Sequence, residues 1–145
     1  MSSILINGRE DWGLPEELLE RGLTELLEEE GVEEAEFSVT FLDDTGIQAL
    51  NEEYLEKGQP TDVIAFSLHD PGEAPLGDVY VGYDQALVQS LALGIPLEEE
   101  LLRLAVHGAL HVLGYTHPEG DGREGSPMYL RQEELLGRVL SAERD

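Results

Sequence analysis

Two spacings of apolar residues alternate along this chain of 145 residues. Ser3 to Asn7 is a short apolar run that reads as a first strand. After Pro15, residues Leu18, Leu19, Leu23, Leu26 and Leu27 follow the helical period, and the helix they predict ends at Gly31. Glu36 to Leu42 sets Phe37, Val39 and Phe41 against polar neighbours, the two-residue period of a half-buried strand. Asp43 or Asp44 then caps a helix running through Leu50 and Tyr54. Beyond the Gly58-Gln59-Pro60 break, Asp62 to Ser67 and Asp78 to Gly82 read as strands, separated by the loop composition Asp70-Pro71-Gly72-Glu73-Ala74-Pro75. Ala86 to Leu93 predicts a helix stopped by Gly94. Pro96 opens another, which carries Leu101, Leu102, Ala105, Val106, Ala109 and Leu110 up to Gly114, and a last helix spans Met128 to Leu140.

Helices and strands interleave with no internal repeat, linker or low-complexity tract. The expected class is therefore α/β (α+β): a small mixed sheet of about four strands covered by helices, with residues 1–145 forming one domain. Hydrophobic residues at 41% and charged residues at 28% are the balance of a globular protein. No apolar run reaches the roughly 18 residues of a membrane span. Met1 to Gly8 lacks the basic stretch and apolar block of a secretory signal, so a cytoplasmic location is expected.

Two features of composition narrow the chemistry. With no cysteine, any metal must be held by His, Asp, Glu or backbone oxygen. A net charge of -24, from 32 acidic and 8 basic residues, repels a polyanion and argues against loose nucleic-acid binding. Runs such as Glu28 to Glu30 and Glu98 to Glu100 read as solvated helix faces.

The chemistry concentrates in His107-Gly108-Ala109-Leu110-His111-Val112-Leu113-Gly114-Tyr115-Thr116-His117. Two histidines four apart project from one helical face about one turn apart and can chelate one ion. Gly114 can take the left-handed conformation that ends a helix, and the turn it makes brings His117 back toward the same point. The spacing matches the H-x-x-x-H-x-x-G-x-x-H skeleton of metzincin-type zinc sites at a helix C-terminus. Gly108 stands where those peptidases place a glutamate. Zinc is the leading metal for three imidazoles, although iron, cobalt, nickel or copper accept the same donors. Three neutral ligands leave one Zn2+ ion a position at which water is acidified, the arrangement of a hydrolase. The missing glutamate makes peptide hydrolysis a weaker expectation.

At this point the chain resembles a known family. His107-Gly108-x-Leu110-His111-x-x-Gly114-Tyr115-x-His117 is similar to the H-G-x-L-H-L-x-G-Y-D-H signature of the YbeY family of bacterial endoribonucleases and rRNA maturation factors. Asn51-x-x-Tyr54, Lys57 and Pro60-Thr61-Asp62-Val63-Ile64-x-Phe66 resemble the family's N-x-x-Y-R-x-K-D-x-P-T-D-V-L-S-F block. Leu76-Gly77-Asp78-Val79 resembles its L-G-D-I strand, and Gln132-Glu133-Glu134-Leu135-Leu136 its Q-E-E-I-L helix. The resemblance spans roughly residues 35 to 140. It implies a single-domain α/β fold, one zinc ion held by His107, His111 and His117, and cleavage of single-stranded RNA. It also implies a place in 16S rRNA processing and ribosome quality control, with rRNA and the small ribosomal subunit as partners and no membrane. Two positions depart: Leu55 stands where the family motif has an arginine serving RNA binding or catalysis, and Thr116 where the signature has aspartate.

No residue is assigned here as catalytic beyond the ligands. Lys57, Arg103 and some of Arg123, Arg131 and Arg138 are expected to gather near the metal in place of the family arginine. Asp62 and Asp78 are candidates for orienting a ligand imidazole or for simple turn and capping roles. His69, with no partner at ligand spacing, reads as a loop residue. Two further functions fit the residues: a ribosome-associated factor in which zinc is structural, and a metallopeptidase.

Overall fold

In the computed structural model, which describes residues 2–55, 61–115 and 125–144, the chain folds around one four-stranded sheet. Its strands are β1 (Ser3–Asn7), β2 (Glu36–Leu42), β3 (Val63–Ser67) and β4 (Leu76–Gly82), in the spatial order β1-β2-β4-β3. β1, β2 and β4 run parallel, and β3 lies antiparallel to β4 at one edge. Among the described residues, five α-helices pack around the sheet: α1 (Glu16–Glu29), α2 (Asp44–Leu55), α3 (Tyr83–Leu93), α4 (Leu97–Val112) and α5 (Pro127–Arg144). The mixed sheet under helices expected from the apolar spacing is what forms.

Several boundaries are settled by capping groups. The Asp43 carboxylate accepts the Gly46 N–H at 2.8 Å, so Asp43 caps α2. The Ser126 hydroxyl accepts the Tyr129 N–H at 3.2 Å, and Pro127 sits at the first helical position, where its missing N–H costs nothing. β4 starts two residues before the expected Asp78, because Leu76 already pairs with Glu36 and its N–H reaches His69 Nδ1 at 3.1 Å. His69 therefore closes the β3–β4 connection, consistent with its reading as a loop residue.

The strand register divides the sheet into two faces. Cross-strand partners share a face, so Ile4, Phe37 and Gly77 lie on one side with Ile6, Val39, Val79 and Ala65. This side carries the core, and α4 packs on it against β3 and β4, with α1, α3 and α5 around α4. From Leu101 to Val112 every residue of α4 is buried except Arg103 and His111, which are partly exposed. Each buried leucine there contributes about 1.5–3 kcal/mol. The helix carrying the histidine pair is thus anchored in the core along its C-terminal half. Among the described residues, no helix is long and apolar enough to cross a membrane.

Candidate functional site

His107 and His111 lie four residues apart on α4, so helical geometry puts them on one face, and their ring orientations bring the two Nε2 atoms to 3.2 Å. Nitrogens bound to one tetrahedral zinc at about 2.0–2.1 Å lie roughly 3.3–3.4 Å from each other. The pair is therefore spaced as two donors to one ion.

The other nitrogen of each ring fixes the tautomer. His107 Nδ1 is 2.7 Å from Gln132 Oε1, and the Gln132 amide nitrogen donates to Glu133 Oε2 at 2.9 Å, which orients the amide oxygen toward the imidazole. His111 Nδ1 is 3.2 Å from the Tyr115 carbonyl. Both acceptors are oxygen atoms without a proton to give, so each Nδ1 carries the hydrogen in the neutral ring. Each Nε2 then presents a lone pair toward the same point. Converging lone pairs on neutral imidazoles are the donor set that a borderline-soft divalent ion takes, so the residues present fit zinc.

The Tyr115 carbonyl reaches His111 because α4 ends in a tight turn. Tyr115 N–H donates to Leu110 and Gly114 N–H to His111, each at 3.0 Å, and Gly114 has φ 102°, a conformation that favours glycine. The Tyr115 hydroxyl donates to Glu30 at 2.7 Å, tying the turn to the end of α1. Burial would raise the Glu30 carboxyl, but hydrogen bonds from Arg131 and Tyr115 more than reverse it and hold the group below its usual value.

His117, the third expected donor, lies outside the described residues, as do Thr116, Lys57 and Arg123. Among the described residues, no cluster of three His, Asp or Glu side chains stands ready for a metal.

The other sequence expectations are corrected in part. Asp62 and Asp78 do not orient the imidazoles: Asp62 accepts from Gln89 of α3 at 3.3 Å, and Asp78 alternates with Val79 and so points away from α4. The groups that do so are Gln132 and the Tyr115 carbonyl. Gln132 is only 4% exposed, and its place in the Gln132-Glu133-Glu134 run was the one signal available in the sequence.

Of the cations expected near the metal, the three that are described, Arg103, Arg131 and Arg138, are each paired with glutamates. Arg103 bonds Glu133 through Nε at 2.9 Å and Nη2 at 3.1 Å, Glu100 at 2.8 Å and Glu99 at 3.3 Å. Burial opposes its charge, yet the bonds to Glu133 and Glu100 prevail and raise its pKa. Arg131 pairs with Glu30 and Glu29, and Arg138 with Glu134 and Glu29. Arg103 adjoins the site through Glu133 and Gln132, but as a brace and not as an open phosphate ligand.

Gly108 is a packing position. A Cβ there would lie 2.4 Å from Val79 Cγ1 and 3.2 Å from Val63 Cγ2, so position 108 faces the sheet and not the imidazoles. A glutamate base has no room.

Together these features describe a mixed α/β protein whose site is carried by a buried helix and oriented by the helix after it. The sequence model described as Endoribonuclease YbeY matches residues 8–139, so the chain belongs to the endoribonuclease YbeY family and is an enzyme of the hydrolase class. It is 41% identical over 133 residues to the Endoribonuclease YbeY of Oceanobacillus iheyensis, covering 83% of this chain and 85% of that one. With the Endoribonuclease YbeY of Persephonella marina it shares 32% identity over 146 residues, covering 97% and 95%. The fold is similar to the solution structure of TM1509 from Thermotoga maritima, with a TM-score of 0.70, 26% identity, and coverage of 97% of this chain and 91% of that chain.

Proposed function

We propose that this chain is a zinc-dependent single-strand endoribonuclease acting in 16S rRNA processing and ribosome quality control, with the small ribosomal subunit as its partner. The observation that carries the metal is the 3.2 Å approach of two Nε2 atoms, each ring held in the ligating tautomer by an oxygen acceptor. The RNA substrate is inferred from family membership, since a net charge of -24 would not suggest it.

In this reading His107, His111 and His117 hold one Zn2+ ion. When bound, zinc supplies a Lewis acid for a phosphodiester oxygen and a place where water is acidified near neutral pH. His107 and His111 bind as neutral donors, and the Gln132 oxygen and Tyr115 carbonyl keep their rings aimed and their Nδ1 protons in place. α4, anchored in the core along its C-terminal half, keeps the donors from swinging apart between turnovers. A metallopeptidase is disfavoured because Val79 fills the space a glutamate at position 108 would need.

The test is cleavage of single-stranded RNA by purified protein. A chelator should abolish it, zinc should restore it, and His111→Ala should remove both the activity and the bound metal. Cleavage that survives complete metal removal and His111→Ala would rule the mechanism out. One observation favours a second reading, a ribosome-bound factor with structural zinc: Arg103, Arg131 and Arg138 are occupied by glutamates while Leu55 takes the place of the family arginine. Zinc-dependent ribosome binding without RNA turnover would select it.

A further inference from the structure

Around Arg103 the hydrogen bonds run in one direction only. An arginine side chain has N–H donors, no acceptor, and a proton it does not give up, so whatever touches it must accept. Its Nε and Nη2 reach the two oxygens of Glu133 at 2.9 and 3.1 Å, while Nη1 takes Glu100 at 2.8 Å and Nη2 also takes Glu99 at 3.3 Å. Two parallel bonds hold the Glu133 carboxylate in the plane of the guanidinium, which a single contact would not do. Glu133 Oε2 also accepts the Gln132 amide N–H at 2.9 Å, and Gln132 Oε1 lies 2.7 Å from His107 Nδ1. Arg103 stands four residues before His107 on α4. The contacts therefore leave α4, cross two neighbouring residues of α5 and return to α4 one turn further on.

An amide has an accepting end and a donating end, and turning it over exchanges them. With Glu133 in place that exchange is closed off: the reversed amide would set its oxygen against a carboxylate oxygen, two acceptors with no hydrogen between them. The accepting end therefore faces the imidazole, and His107 carries its hydrogen on Nδ1. A neutral histidine ring in water favours the opposite form, with the hydrogen on Nε2. In that form Nε2, the atom 3.2 Å from His111 Nε2, has no lone pair for a metal.

We propose that Glu133, kept in plane by Arg103, is a positioning residue for the metal centre, acting through the Gln132 amide to select the ligating tautomer of His107. The consequence for zinc rests on the function proposed above; the choice of tautomer does not. A carboxylate commonly orients a ligand histidine by touching it, and here an amide stands between the two. The amide passes on the direction of the hydrogen bonds, while the charge stays one side chain away from the ring and is paired with Arg103. Glu99 supplies the comparison, because it bonds the same arginine but has no part in the path that ends at His107.

The experiment compares the wild type, Glu133→Met, Arg103→Lys and Glu99→Gln as full chains. The tautomer is read from the nitrogen-15 shifts of the His107 ring in metal-free protein at about pH 8, above the ordinary histidine range. Zinc affinity is read by competition with a chromophoric chelator. The wild type should hold its hydrogen on Nδ1. Glu133→Met should move it mostly to Nε2 and weaken zinc binding about 10-fold, the low end of what loss of a direct partner causes. Arg103→Lys keeps a positive charge beside Glu99 and Glu100 but cannot grip two carboxylate oxygens in plane, so it should shift the hydrogen less and in the same direction; it carries the test if Glu133→Met does not fold. Glu99→Gln should match the wild type in tautomer and in zinc affinity. A folded Glu133→Met that keeps its hydrogen on Nδ1 would overturn the proposal, as would Arg103→Lys with no shift. So would Glu99→Gln moving the hydrogen as far, since the ring would then be following a general loosening of α4 against α5. A wild type that shows these tautomers and binds no zinc would remove the zinc reading and leave the role of Glu133 standing; zinc bound alike by all four proteins with no shift would do the reverse.

Discussion

Replacing Gln132 by leucine keeps the volume at that buried position nearly constant and removes the oxygen that holds His107 Nδ1 at 2.7 Å. His107 is 6% exposed, so water does not readily replace the lost acceptor. A buried N–H left without a partner costs about 1–3 kcal/mol, and that loss should appear in urea unfolding of the metal-free protein. The second consequence falls on the metal. Without the acceptor the imidazole proton redistributes toward Nε2, the atom aimed at His111, and the ring loses part of its basicity as a ligand. Loss of such an outer partner commonly weakens binding 10- to 100-fold, about 1.4–2.7 kcal/mol. Zinc affinity is measured by competition with a chromophoric chelator, and the tautomer by the nitrogen-15 shifts of the His107 ring in metal-free protein. Glu134→Gln serves as the control, because Glu134 lies two residues further along α5 and its carboxylate pairs with Arg138 and not with the site. If Gln132→Leu binds zinc as tightly as the wild type with its Nδ1 proton in place, Gln132 does not position His107 and the reasoning is wrong.

Two further outcomes follow from the same geometry. Hydrogen bonds from Arg103 and Gln132 outweigh burial and hold Glu133 below its ordinary value of 4.5, so its stabilising contribution is complete above that value and fades as pH falls through the lower folded one. The stability difference between wild type and Glu133→Gln, followed by denaturant midpoints, should therefore be full at pH 7 and shrink below about pH 5; a difference that grows on acidification would contradict it. Gly108→Ala should lower stability by about 1–2 kcal/mol, since the strain of its Cβ against Val79 exceeds what alanine adds to helix propensity, and a more stable variant would show that α4 can shift away from the sheet.

The local alphabet of this protein was legible along the chain. β1 and β2 run over Ser3–Asn7 and Glu36–Leu42, the spans their apolar patterns suggest, because a strand with one buried face must alternate. The shared face of His107 and His111 was equally readable, since four residues on a helix make nearly one turn whatever surrounds them. So was the turn at Gly114, which ends α4 by its own backbone freedom. α3 shows where periodicity runs out: its larger apolar side chains suggest an inward face, yet Ala86 and Ser90 are the residues turned inward.

Only the tertiary structure decided which distant groups complete the site. Gln132 is 25 residues from His107, and nothing in the spacing of either helix says that α5 will dock with an amide oxygen on that imidazole. Arg103 meets Glu133 and Arg131 meets Glu30 by the same docking, which turned cations expected to gather near the metal into braces between helices. Gly108 reads along the chain as an omitted base, but contact with Val79 makes it the place where helix and sheet meet. Short-range geometry follows from backbone dihedrals that each segment carries with it; long-range partners follow from how separate faces bury their apolar area together, and that is a property of the whole fold.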